Sequence, residues 1–137
     1  MNIAAALKSI SLLLLCLAIG STAAQERVQF NRDIRPILSD KCFYCHGQDG
    51  NKRQADLRLD DREAAIKAKA FVPSDAAASA LIERINSTDA DTLMPPPDSN
   101  RKLTAEQKKL IERWIAEGAN YEQHWAFVAP QRPTPPA

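Results

Sequence analysis

Cys42-Phe43-Tyr44-Cys45-His46 is the one place where two of the three cysteines stand close together, and one of the two histidines adjoins them. Three chemistries use such a cluster. C-x-x-C-H is the attachment signature of a c-type haem. There the thiols add across the two haem vinyl groups, the two spacer residues set both sulfurs along one ring edge, and the histidine turns its imidazole to the iron. A structural zinc site could use the same side chains but needs four ligands. A reversible disulfide would use the cysteines alone.

The rest of the chain bears on that choice. Its 137 residues are a one-domain length. The first residues run from positive to apolar to small: Lys8, then Ile10 to Ile19, then Gly20 to Ala24. This order predicts a secretory signal peptide over residues 1–24, cut after Ala24. The apolar run is too short for a bilayer, which needs about 20 residues. Cys16 follows Leu15, not the small residue that precedes a lipid-attachment cysteine, and it is expected to leave with the leader. Cleavage removes one of the 18 basic residues and leaves the rest matched to the 17 acidic ones. A near-neutral domain of this kind argues against nucleic-acid binding and against a basic membrane patch. Its expected location is exported, on the periplasmic or cell-envelope side, where unattached cysteines oxidise.

Four helices and no sheet are predicted, an all-α domain over residues 25–122. The first runs from about Asn31 to Cys45, with Ile34, Ile37 and Leu38 on one face and Pro36 in its first turn. The second runs from Asp61 to about Lys69 behind an aspartate cap. The third runs from about Asp75 to Asn86, with Ala78, Leu81, Ile82 and Ile85 as its stripe. The fourth opens on the capping box Thr104-Ala-Glu-Gln107, buries Leu110, Ile111, Trp114 and Ile115, and ends at Gly118. Two long connections, 47–59 and 87–103, have the length of functional loops. Residues 123–137 form a proline-rich tail or linker, expected to be extended.

With these elements in place zinc is short of ligands, because His124 is the only further histidine or cysteine after the leader. A redox dithiol normally sits in a βαβ protein at a helix start, whereas this pair falls at a helix end. The haem reading asks for a second axial ligand, and Met94 is the sole methionine after the leader. Pro95 forces Met94 out of helical geometry, and three prolines stiffen the chain just beyond it. A soft thioether there favours the reduced metal. Met94 could instead fill a core gap, but only Leu93 is apolar beside it. His124 is the fallback ligand. Ile34, Leu38, Leu57, Leu81, Ile85 and Trp114 are expected to pack around the macrocycle or form a plain core. Lys52, Arg53 and Arg58 come after the motif and are candidate partners for the haem carboxylates. The other ring nitrogen of His46 is expected to meet a backbone carbonyl between Gly47 and Arg58.

Several segments together resemble the planctomycete-type cytochrome c domain. They are F-N-R-D-I-R-P-I-L-S-D-K-C-F-Y-C-H-G at 30–47, A-D-L-R-L-D at 55–60, M-P-P-P at 94–97, L-T-A-E-Q-K-K-L-I-E-R-W-I-A-E-G-A at 103–119 and H-W-A-F at 124–127. The resemblance implies a class I cytochrome c-like fold around one covalent haem c, held by Cys42 and Cys45, with His46 proximal and Met94 distal. In that family the module often opens a longer secreted protein associated with polysaccharide breakdown. The chain departs from it at Ala70 and Ser74, where glycines are common. It also has no proline between Gly47 and Val72 to offer a carbonyl to the proximal histidine.

The expected function is electron transfer by an exported monohaem cytochrome, monomeric, meeting a redox partner protein transiently at the haem edge. Alternatives are a haem module serving an attached or co-exported enzyme, and a five-coordinate haem with peroxidase-like or ligand-binding activity.

Overall fold

The computed structural model describes residues 26–130. The leader over 1–24, Cys16 within it, and the end of the proline-rich tail lie outside the described residues. The chain enters through a π-helical turn, Phe30–Ile34, and passes directly into α1 (Arg35–Lys41). Pro36 stands in the first turn of α1, where its missing N–H breaks no helical bond. The expected continuous helix through Cys45 is interrupted at Cys42, whose φ of −122° leaves the helical region. The chain resumes as α2 (Phe43–His46), and the His46 N–H donates to the Cys42 carbonyl at 2.8 Å. The pentapeptide is thus a helical turn of its own, hinged against α1.

Helix α3 (Arg62–Lys67) starts where an aspartate cap requires it: Asp61 Oδ1 accepts the Ala64 N–H at 3.1 Å. Helix α4 (Ala80–Asn86) starts five residues later than the sequence suggests. Asp75 does cap a turn, accepting from the Ala78 N–H at 3.0 Å, but the turn does not propagate. The buried Ser79 hydroxyl prevents it, donating to the Asp75 carbonyl at 2.7 Å and accepting the Val72 N–H at 2.9 Å. This side chain offers the backbone an alternative to the helix. Ser74, one of the two positions where the related family favours glycine, takes φ +65° and donates its N–H to the Ile115 carbonyl at 2.8 Å.

Helix α5 (Ala105–Ala116) has the expected capping box: Gln107 N–H to Thr104 Oγ1 is 3.2 Å, and Thr104 N–H to Gln107 Oε1 is 3.0 Å. Gly118 closes it at φ +106°, a conformation that only glycine adopts without strain. Among the described residues there is no strand, only an isolated bridge between Val72 and Asp75, and the domain is all-α. Positive φ values at Ala55 and Asp56 make turns of the 55–60 segment. No described helix is long and apolar enough to cross a membrane.

One aromatic cluster joins the two ends of the domain to its middle. The Trp114 ring lies 5.7 Å from Phe30, 5.3 Å from Phe71 and 5.4 Å from Tyr121. Its indole N–H donates to the Asn120 carbonyl at 3.0 Å, so its polar edge is satisfied while the ring is buried. Tyr121 stacks on Phe30 at 4.1 Å and donates its hydroxyl to the Leu59 carbonyl at 2.6 Å. Two carboxylates fasten the N-terminal segment beside this cluster. Glu122 accepts the N–H groups of Phe30 and Asn31, both at 3.1 Å. Glu117 accepts the Val28 N–H at 2.8 Å and the Arg113 Nε–H at 2.7 Å.

Trp114→Ala should cost about 3–5 kcal/mol in denaturant unfolding, whereas Phe127→Ala, at a ring 76% exposed, should change stability by less than about 0.5 kcal/mol. Equal costs would mean that the aromatic cluster is not the core. Burial pushes the Glu117 carboxyl up, but the Val28 N–H and Arg113 outweigh it, and its pKa lies below the usual value of 4.5. The folded pKa is therefore the lower one, so this contribution is complete above pH 4.5 and fades as the pH falls below it. Unfolding curves of Glu117→Gln should show lower stability than wild type at neutral pH and a gap that narrows in acid.

Candidate cofactor site

Two cavities bear on function. One, about 430 Å³, lies under the N-terminal segment, lined by Glu26, Val28, Trp114, Glu117 and their neighbours, and contains none of the C-x-x-C-H residues. The other, about 370 Å³, gathers nearly every residue that the sequence singled out as an iron or thioether ligand. That volume lies within the range of small-molecule and cofactor sites.

Its wall draws on elements far apart in the chain. Helix α2 and the hinge before it supply Cys42, Cys45 and His46. The 47–59 connection supplies Ala55, Leu57 and Leu59. The segment before α4 and α4 itself supply Ala68, Ala70, Ala80, Leu81, Arg84 and Ile85. The 87–103 connection supplies Met94, Pro95, Pro96, Ser99 and Arg101, and Lys41 completes the rim from α1. Apart from these three cations and the motif, the wall is nearly all aliphatic, as a macrocycle with an apolar face requires.

The motif is fixed by bonds to the loop after it. The Gln54 N–H donates to the Cys45 carbonyl at 2.7 Å, and the Leu59 N–H to the His46 carbonyl at 2.8 Å. Gly47 comes next to the histidine at a point of close backbone approach: a Cβ there would lie 2.3 Å from the Phe43 carbonyl oxygen. The turn can close only on glycine. Met94 is held from the other connection. Its N–H donates to the Arg84 carbonyl at 3.0 Å, in the last turn of α4, where the capping Ser87 N–H also reaches that oxygen at 3.4 Å. The Leu93 N–H reaches the Asp89 carbonyl at 2.8 Å, and the Ser87 and Thr92 hydroxyls meet at 2.6 Å.

The donor chemistry fits a haem. His46 Nδ1 is buried with no hydrogen bond of ordinary geometry. Burial lowers the His46 pKa, and the Gln54 backbone opposes that shift as an acceptor facing the ring does. Gln54 lies within the stretch from which the sequence predicts a carbonyl partner for His46. A neutral imidazole is the form that ligates iron. Burial pushes the Cys42 thiol up to about 12, with Asp40 and Cys45 adding to the shift. That is the reverse of the low-pKa thiol that disulfide exchange requires. Both cysteines are free thiols, Cys42 buried and Cys45 half-buried. Among the described residues no three His, Cys, Asp or Glu side chains converge as a metal ion would need, which leaves the zinc reading without a ligand set.

The three cations singled out after the motif, Lys52, Arg53 and Arg58, lie off the wall. Arg53 pairs with Asp56 at 3.2 Å, and Arg58 pairs with Asp60 at 2.5 Å and with Asp61 at 3.9 Å. Neither arginine lines the cavity, and neither does Lys52, whose ammonium lies 5.1 Å over the Tyr44 ring. The cations on the wall are Lys41, Arg84 and Arg101. Arg53 and Arg58 each have an aspartate two or three residues away and are paired with it instead of lining the cavity. His124 is also absent from the wall; its Nδ1 accepts the Ala126 N–H at 3.2 Å. Of the residues expected around a macrocycle, Leu57, Leu81 and Ile85 line the cavity, while Ile34, Leu38 and Trp114 lie in the core.

Gly47→Ala should displace the Phe43 carbonyl and with it the turn carrying Cys45 and His46, lowering stability by about 1–3 kcal/mol in thermal or denaturant unfolding. Gly50→Ala, where a Cβ would meet nothing closer than 3.7 Å, is the control and should leave stability nearly unchanged.

No curated protein and no solved structure matches the chain. A family model described as Planctomycete cytochrome C matches residues 42–98, a span that opens on the first cysteine of the motif and closes just beyond Met94 and its prolines. Over that span the chain is similar to the planctomycete cytochrome c family, the one its sequence resembles.

Proposed function

We propose that the protein is an exported, monomeric, monohaem c-type cytochrome that transfers electrons and has no substrate of its own. The observation that carries this reading is the meeting of Cys42, Cys45, His46 and Met94 on the wall of one largely aliphatic cavity. The family match supports the coarser part, haem binding and electron transfer. The leader pattern of residues 1–24 supports export.

In this reading Cys42 and Cys45 would hold the cofactor as thioethers, and His46 and Met94 would ligate its iron. When bound, the haem supplies an iron that alternates between ferric and ferrous states and so carries one electron at a time. The protein's own part is to exclude water, fix the ligands and set the potential. Leu57, Leu59, Leu81 and Ile85 give the pocket low polarity. His46 is held neutral by burial. Met94 is offered on a loop already tied to α4. With His46 and Met94 both committed to the iron, this reading leaves no open site for chemistry on a substrate, and partners would meet the domain through a small, transient interface.

The test is the visible spectrum, oxidised and reduced, of protein made in a host with cytochrome c maturation machinery. Sharp low-spin haem c bands with the weak far-red band of sulfur-to-ferric-iron ligation are expected. Met94→Ala should remove the far-red band and lower the midpoint potential by on the order of 0.1 V, within the roughly 0.8 V over which axial ligands set haem potentials. An unaltered spectrum in Met94→Ala would remove Met94 from the ligand set. A wild-type chain without covalent haem would overturn the whole reading.

A further inference from the structure

We infer that Arg84 and Arg101 are the anion-binding pair of this cavity and take the two carboxylates of the haem. The inference rests on the haem reading above and assigns residues that the sequence did not single out.

Charge on the wall is one-sided. Lys41, Arg84 and Arg101 line it, and no aspartate or glutamate does. In a near-neutral chain, three cations around one cavity with no carboxylate on its wall concentrate positive charge there. Lys41 is already engaged, with its ammonium 2.6 Å from Asp40. The two arginines are not. The Arg84 side chain, exposed on the last turn of α4, makes no hydrogen bond or ion pair among the described residues. Arg101 is half-buried and also lacks a carboxylate partner. Its guanidinium lies 4.6 Å over the Tyr44 ring, and its Nη1 reaches the Ser99 carbonyl at 3.4 Å.

These contacts orient Arg101 rather than neutralise it. Tyr44 stands between the two attachment cysteines, and Ser99 stands on the Met94 loop, so the guanidinium bridges the two halves of the site. Arg84 is tied to the same loop through its backbone, because its carbonyl accepts the Met94 N–H. A cofactor carrying two carboxylates against an aliphatic wall needs cations to offset the cost of taking those charges out of water. Arginine suits the task because its planar fork meets a carboxylate with two parallel hydrogen bonds. Arg53 and Arg58 are held by their own aspartates and lie off the wall.

The test uses the haem-loaded protein, with Arg84→Gln, Arg101→Gln, the double Gln variant, the double Lys variant, and Arg53→Gln and Arg58→Gln as controls. The first readout is the resonance Raman bending band of the haem propionates, which reports hydrogen bonds to the carboxylates. The second is the midpoint potential, which falls when cations beside the iron are removed, because the ferric charge is then less opposed. The expected result is a shift of the Raman band in each single Gln variant and a larger one in the double, with a lower potential. The double Lys variant should recover the potential but not the band, since it restores charge without the fork. The controls should match wild type in the band. If the double Gln variant does not load haem, the single variants carry the same comparison. A wild-type band in both Arg84→Gln and Arg101→Gln overturns the assignment, as does a shift confined to Arg53→Gln or Arg58→Gln. A wild-type protein that never acquires haem fails at the loading step, which separates failure of the haem reading from failure of this one.

Discussion

Trp114 is the constraint on which the rest of this domain depends. It reaches the core from the one long helix and touches the entry turn at Phe30, the middle of the chain at Phe71 and the exit at Tyr121. The Phe30–Tyr121 stack and the Glu117 and Glu122 carboxylates join the same two ends around it. The consequences of this packing reach the site through two hydrogen bonds in series at Leu59. Tyr121, stacked on Phe30, donates its hydroxyl to the Leu59 carbonyl, and the Leu59 N–H is bound to the His46 carbonyl. The aromatic cluster thereby fixes the backbone behind the histidine from a distance, while the histidine ring itself is left to the cavity.

The core and the cavity share residues. Leu59, Ala70, Leu81 and Ile85 belong to the buried cluster and also line the cavity wall. Close packing makes a buried side chain sensitive to the loss of even one methylene. A substitution at any of these four positions therefore acts on folding and on the site at once. Ile34, Leu38 and Trp114 are different: they are buried in the core without reaching the wall. Changes there should be read first as changes in stability.

How much of this was legible in the sequence depended on whether the signal was local. The capping box at Thr104 and Gln107 and the stop at Gly118 are decided within a few residues, and both stand as read. Met94 was found by chemistry and elimination, and it does reach the same cavity as the motif. The start of α4 was misplaced because Asp75 has a proper cap signal, and only the tertiary bonds of the buried Ser79 hydroxyl show why the helix waits until Ala80. The break at Cys42 was hidden for a similar reason, since apolar spacing runs smoothly from Ile34 through Leu38 and says nothing of a hinge. Arg84 and Arg101 could not be found by proximity to the motif, being about 40 and 55 residues away from it and brought to the wall by α4 and the Met94 loop. No local rule separates them either: Arg101 has Asp98 three residues away, as Arg53 has Asp56, and Arg84 adjoins Glu83, so only the structure shows which arginines reach the wall.

The Met94 loop shows how a long connection can be rigid without secondary structure. Hydrogen bonds from Leu93 to Asp89 and from Met94 to Arg84, the Ser87–Thr92 hydroxyl pair and three successive prolines each remove freedom from it. Fixing one backbone residue costs roughly 1–2 kcal/mol of conformational entropy. For Met94 and its neighbours that cost falls on folding, so on the proposed haem reading it would not fall again on ligation. A thioether is a weak ligand, and a weak ligand persists only if it is held in place beforehand. The same reasoning explains why the loop is tied to Arg84 by its backbone. The helix that builds the aliphatic wall with Leu81 and Ile85 also holds the Met94 backbone, so the wall and this loop form one unit.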